Sequence, residues 1–124
     1  MEKFNELRKI MHKVKFLEEC IEETRTQMKI HAMQYSDIPK TIGFKDRTLE
    51  ILIEKIEDLE NKKNRLQLRY EIIQEELSVL PEMPYKVAFY KVVYGMPWKQ
   101  ISTKLGYSRT SCFRFFDEAK NFAC

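Results

Sequence analysis

From Leu49 to Leu80 an apolar residue recurs in unbroken steps of three and four: Leu49, Leu52, Ile56, Leu59, Lys63, Leu66, Tyr70, Ile73, Leu77 and Leu80, with Lys63 the one charged member. A helix turns once in 3.6 residues, so this spacing lays the whole series along one stripe. It is the heptad pattern of a coiled coil, with Leu49 at a and Leu52, Leu59, Leu66, Ile73 and Leu80 at d. Asp46 or Thr48 is placed to cap the helix, and Pro81 to end it. Such a helix cannot stand alone in water, because its own hydrogen bonds do not offset the exposure of a leucine stripe.

Two partners suit it. The first stretch carries Phe4, Leu7, Met11, Val14, Leu17, Ile21, Met28 and Tyr35 at similar steps, with an irregularity near Leu17. Joined through a loop over Tyr35–Lys45, the two stretches would make an antiparallel hairpin. The alternative is the same helix of a second subunit, in which Lys55 would face Glu60 of the partner subunit and Lys63 at a would disfavour misregistered pairing. Both pairings can coexist in a bundle of two hairpins, and Ile51, Ile53, Leu68 and Ile72 widen the stripe beyond a two-stranded seam. A homodimer is therefore expected, with Leu52, Ile56, Leu59, Lys63, Leu66, Tyr70, Ile73 and Leu77 as its oligomerisation residues.

All three glycines (Gly43, Gly95, Gly106) and all four prolines (Pro39, Pro81, Pro84, Pro97) fall at breaks between periodic stretches, which divides the chain. Residues 1–80 read as a helical hairpin or coiled coil, residues 81–124 as a small domain, and the whole as all-α. Ten of the fifteen aromatic residues lie in residues 82–124, so the compact core belongs there.

That last segment contains Gly95-Met96-Pro97-Trp98-Lys99-Gln100-Ile101-Ser102-Thr103-Lys104-Leu105-Gly106-Tyr107-Ser108-Arg109-Thr110, which reads as a short helix, a tight turn and the start of a second helix. Pro97 suits a first helical position, Gly106 a left-handed helix end, and Ser108 the cap of the next helix. Trp98, Ile101 and Leu105 share one face of the first helix; Cys112, Phe115, Ala119 and Phe122 share one face of the second. A helix over Pro84–Tyr94 offers Val87, Tyr90, Val93 and Tyr94 as the third wall of a three-helix helix-turn-helix unit. Residues 82–124 hold seven Lys or Arg and three acids, a net +4, against fifteen and sixteen in residues 1–81. A basic excess on such a unit implies double-stranded DNA. Arg109, Thr110, Ser111 and Arg114, on the early turns of the last helix, are the expected base readers, beside the cap Ser108. Lys99, Lys104 and Lys120 are the expected phosphate contacts.

Tyr94-Gly95, Trp98-Lys99-Gln100-Ile101, Leu105-Gly106-Tyr107-Ser108 and Ala119 resemble the C-terminal segment of phage-encoded transcription regulators of the ArpU and RinA type, itself similar to the promoter-reading region 4 of bacterial sigma factors. The resemblance implies a phage or prophage regulator in the cytoplasm of a bacterial host, binding a promoter upstream of late genes and activating them. It implies a reading helix over Ser108–Phe122. The chain departs from the family pattern at Cys112, where a branched aliphatic residue is usual, and in the aromatic run Phe113, Phe115 and Phe116. Phe113 is expected near the surface, against a thymine methyl or a partner protein such as RNA polymerase.

The competing class is a coiled-coil scaffold whose C-terminal bundle docks a packaging or polymerase component. Small terminase subunits combine similar parts in the opposite order. No enzyme, metal site or cofactor is expected. Cys20, Cys112 and Cys124 lack Cys-x-x-Cys spacing, His12 and His31 have no helical partner, and no nucleophile–base set or phosphate-cradling glycine loop can be assembled. With no run of about 18 apolar residues and no signal peptide, a soluble intracellular protein without a membrane partner is expected.

Overall fold

The structure is a computed structural model that describes residues 1–36 and 47–122, the last three of the first segment by backbone alone. Every described element is helical: α1 (Glu2–Ser36), α2 (Arg47–Leu77), α3 (Glu82–Ala88), α4 (Trp98–Leu105) and α5 (Arg109–Phe122), with a π-helical turn over Phe89–Val93 continuing α3. The long helices run where Gly and Pro are absent, and each interruption falls at one of those residues or beside it. Among the described residues no helix is long and apolar enough to cross a membrane. The loop expected over Tyr35–Lys45 and the cap expected at Asp46 lie outside the described residues, apart from the helical backbone to Ser36; Thr48 lies inside α2.

Two compact units divide the chain, Lys13–Leu66 and Met1–His12 with Gln67–Cys124. The expected boundary at residues 80 and 81 marks a change of element. The packing boundary lies elsewhere, because the start of α1 and the end of α2 are built into the unit that holds α3 to α5.

In the Lys13–Leu66 unit, Lys63 pairs with Glu18 at 3.3 Å and Glu60 with Arg25 at 3.1 Å. The residue number rises along one helix as it falls along the other, which defines an antiparallel pair. Leu52, Ile56, Leu59, Lys63 and Leu66 are half-buried, whereas Leu49 at the start of the stripe is exposed. The stripe of α1 skips from Ile21 to Met28, and Thr24 fills the gap. Thr24 is buried, and its hydroxyl donates to the Cys20 carbonyl at 2.8 Å, so no polar group is stranded. Lys63 and Glu60, which a parallel dimer would have used, are thus paired within the chain. Ile51 and Ile53 on α2, and Phe16, Ile30 and Met33 on α1, stay exposed.

The other unit continues the same antiparallel order, with Arg69 paired to Glu6 at 3.1 Å and Lys3 to Glu76 at 3.4 Å. Here the stripe is dry: Phe4, Leu7 and Ile10 on α1 and Ile73 and Leu77 on α2 are buried, and Tyr70 is half-buried. α2 ends at Leu77, three residues short of Leu80. A turn follows, closed by the Leu80 N–H on the Leu77 carbonyl at 3.1 Å, and Leu80 is buried outside any helix. Pro81 caps α3 instead of ending α2; its carbonyl accepts the Tyr85 N–H at 3.1 Å. Tyr85 then carries the core forward, its ring 6.0 Å from Phe4 and 5.8 Å from Phe89. Burial raises the Tyr85 and Tyr70 phenols above their ordinary pKa, and a hydrogen bond from Gln74 offsets part of the rise at Tyr85.

Burial separates two phenylalanines of α1 as the apolar stripe does, with Phe4 on it and Phe16 off it. Phe4→Ala is expected to lower unfolding stability by about 3–5 kcal/mol, while Phe16→Ala, on a ring that is 64% exposed, should change it by no more than about 0.5 kcal/mol. Urea denaturation followed by far-UV circular dichroism measures both.

Candidate nucleic-acid interface

α4, a three-residue turn and α5 make the helix-turn-helix, and short polar contacts set each of its ends. Pro97 stands one position earlier than its spacing suggested. Its φ of −62° is helical but its ψ of 148° is extended, so it caps α4 and its carbonyl accepts the N–H groups of Gln100 (3.0 Å) and Ile101 (3.1 Å). Gly106 ends α4 in the left-handed region at φ 74°, and its N–H donates to the Ser102 carbonyl at 2.9 Å. The Ser102 hydroxyl donates to the Tyr107 carbonyl across the turn. Ser108 then opens α5: its Oγ accepts the Ser111 N–H at 3.2 Å and lies 3.1 Å from the Ser111 Oγ. Ser111 is thereby engaged at the cap and half-buried, which leaves Arg109, Thr110 and Arg114 as the exposed polar groups of the first turns.

Val87, Ile101 and Cys112 are the buried centre of this head, with Tyr90, Met96, Trp98, Leu105, Phe115 and Phe116 packed around them. Burial pushes the Cys112 thiol up, which keeps it protonated and unreactive. Two expected wall residues are outside. Tyr94 is exposed because the π turn, with the Tyr94 N–H on the Phe89 carbonyl at 3.3 Å, shifts the helical phase just before it. Phe122, in the last turn of α5, is 56% exposed. Phe116 takes the inner place, edge-to-face with Trp98 at 5.2 Å.

The cations sit on this aromatic core. Lys104 lies 4.7 Å over Tyr90, Arg114 5.4 Å over Phe115, and Lys120 5.1 Å over Phe116. A ring beneath a cation restrains it without neutralising it, so these side chains keep their full charge at the surface. Lys99 and Arg109 are exposed and make no ion pair among the described residues. Asp117 and Glu118 follow on the next turn of α5, also exposed, so the cationic part of the helix is its N-terminal half.

One cation escaped the sequence reading. Lys91 lies 4.9 Å over Trp98 and reaches the Met96 carbonyl at 3.4 Å. Six residues, with a turn through Gly95 at φ 65°, separate it from that ring. The fold of that turn brings them together, and no helical spacing could have indicated it.

The expected oligomerisation residues line the inner faces already described: Leu52, Ile56, Leu59, Lys63 and Leu66 in one unit, Tyr70, Ile73 and Leu77 in the other. Among the described residues no three His, Cys, Asp or Glu side chains converge as a metal site. No protein-family model, no curated protein and no solved structure matches the chain.

The cap makes the turn testable. Ser108→Ala should cost about 1 kcal/mol of stability, and Gly106→Ala about 1–2 kcal/mol through its left-handed backbone. The fluorescence of Trp98, the one tryptophan, reports both in urea titrations.

Proposed function

We propose that the protein is a sequence-specific DNA-binding transcription regulator. The observation that carries the reading is the capped turn from α4 to α5, which leaves Arg109, Thr110 and Arg114 exposed on the opening turns of α5 with Lys99, Lys104 and Lys120 around them. A helix entering the major groove meets base edges with its N-terminal residues, and the flanking cations meet phosphates. Arg109 and Arg114 have the fork geometry that suits guanine, and Thr110 is the adaptable contact between them. The resemblance to ArpU- and RinA-type regulators supports activation of phage or prophage late genes in a bacterial cytoplasm, with RNA polymerase as a second partner.

The regulator acts as a homodimer. Duplicating the reading helix lets two half-sites be held at once and raises affinity through effective concentration. Because the heptad seam is taken up within the chain, the second copy is met by apolar side chains that stay outside. Leu68 and Ile72, one helical turn apart on α2 and 58% and 42% exposed, are such a pair. The scaffold reading would draw on the exposed rings of the head, Tyr94, Tyr107, Phe113 and Phe122, and no observation points to a partner that covers them.

Binding of the full chain to duplexes selected from a random library tests the reading. Arg109→Ala and Arg114→Ala should each lose about 1–3 kcal/mol on the selected site and relax its sequence, whereas Lys99→Ala should weaken all duplexes alike and flatten the salt dependence. Equal binding by wild type and the double arginine variant to every duplex would reject the assigned readers. Light scattering should give the mass of two chains for wild type and of one chain, with unchanged helicity, for Leu68→Glu with Ile72→Glu. A monomeric wild type would refute the dimer.

A further inference from the structure

Phe113 breaks the character of its own helix face. Its exposed neighbours on α5 are Arg109 and Thr110 one turn before it, Arg114 beside it and Asp117 one turn after it, all polar. Phe113 is nevertheless 45% exposed. A large apolar ring in that setting gains nothing from water and is held there by packing on one side only. Trp98 supplies the packing, with ring centroids 4.8 Å apart and planes at 87°. Trp98 is itself fixed by Phe116 at 5.2 Å and by the Lys91 ammonium over its face. The result is an apolar disc that is rigid, turned outward and set among the groups assigned to base and phosphate contact.

From this arrangement we infer that Phe113 determines specificity by packing on the 5-methyl group of a thymine in the major groove. The inference rests on the DNA reading and deepens it. That methyl is the one apolar group that the four base pairs present there, and an aromatic or aliphatic side chain is its natural complement. A protein partner would call for a broad apolar patch with charged residues at its rim, whereas Phe113 adds to the half-buried Trp98 and Phe116 only a small apolar area, beside Arg109 and Arg114 whose charge is complementary to phosphate. Trp98 acts as a positioning residue: it touches no base and holds the ring that does. Because Phe113 is clamped before contact, little side-chain freedom is lost on binding.

The experiment uses the full chain and a duplex selected from a random library, in which each thymine is replaced singly by deoxyuridine. The replacement removes one methyl group and leaves every hydrogen-bonding edge in place. In each half-site one replacement should weaken wild-type binding about fourfold, the worth of one buried methyl. Phe113→Ala should bind the thymine and deoxyuridine duplexes alike, and Phe113→Leu should recover part of the discrimination, with all three proteins equally helical by circular dichroism at the assay temperature and Phe113→Ala losing about 0.5–1.5 kcal/mol of stability with its edge-to-face pair. A selected duplex that wild type binds equally well with every thymine replaced overturns the inference and leaves the DNA reading standing. So does a Phe113→Ala variant that keeps the full methyl discrimination, which assigns the ring to a protein partner. A selection that enriches no duplex overturns the DNA reading, and the inference falls with it.

Discussion

The organisation depends on one constraint: the apolar stripe of α2 must leave water, and α1 of the same chain is what covers it. Among the described residues four cross-helix ion pairs, two in each unit, border the covered faces and pair the helices antiparallel within each unit. They are exposed to half-exposed and contribute little stability singly. Their role is to select among registers that the repeating leucines leave nearly equivalent. Lys63 shows the logic: a charge in an apolar seam costs least where its head can reach water or a carboxylate, and Glu18 supplies the latter.

The same constraint shapes the head. The dry end of the helix pair, with Phe4, Leu7, Ile10, Ile73 and Leu77 buried, is part of the unit that contains the helix-turn-helix. Phe4 meets Tyr85, Tyr85 meets Phe89, Phe89 meets Tyr94, and Tyr94 meets Tyr90, so rings connect α1 to the segment just before α4. Rings then support cations: Tyr90 carries Lys104, Trp98 carries Lys91, Phe115 carries Arg114 and Phe116 carries Lys120. A head of this size has few aliphatic residues with which to build a core. Aromatic residues serve twice, burying area inward and holding charge outward. This dual use accounts for the adjacent rings Phe115 and Phe116 in α5.

Much of this was legible from residue order, because it is local. Steps of three and four identify α1 and α2 and their apolar stripes; Gly106, Ser108 and Pro97 mark the ends of α4 and α5; the outward placement of Arg109, Thr110 and Arg114 follows once Cys112 and Ala119 are inward. The failures are equally local in origin. A 3.6-residue repeat places Tyr94 inward but the π turn breaks it, and the same repeat places Phe122 inward although it falls in the exposed last turn of α5. Helical spacing and burial coincide at Leu80, although α2 ends at Leu77.

Sequence by itself determined that the chain is helical, near which residues the helices break, and where the apolar stripes of α1 and α2 run, since these depend on spacing and on Gly, Pro and Ser within a few residues. Tertiary structure alone decided that the α2 stripe closes on α1, that the two units divide across the long helices and not at Pro81, that Phe116 and not Phe122 fills the head, and that Lys91 lies over Trp98. The physical reason is common to the first three, whereas Lys91 and Trp98 meet through the local turn at Gly95. A periodic stripe states that a face must be covered but is indifferent to what covers it, and that choice is made by competition among contacts between residues far apart in the chain.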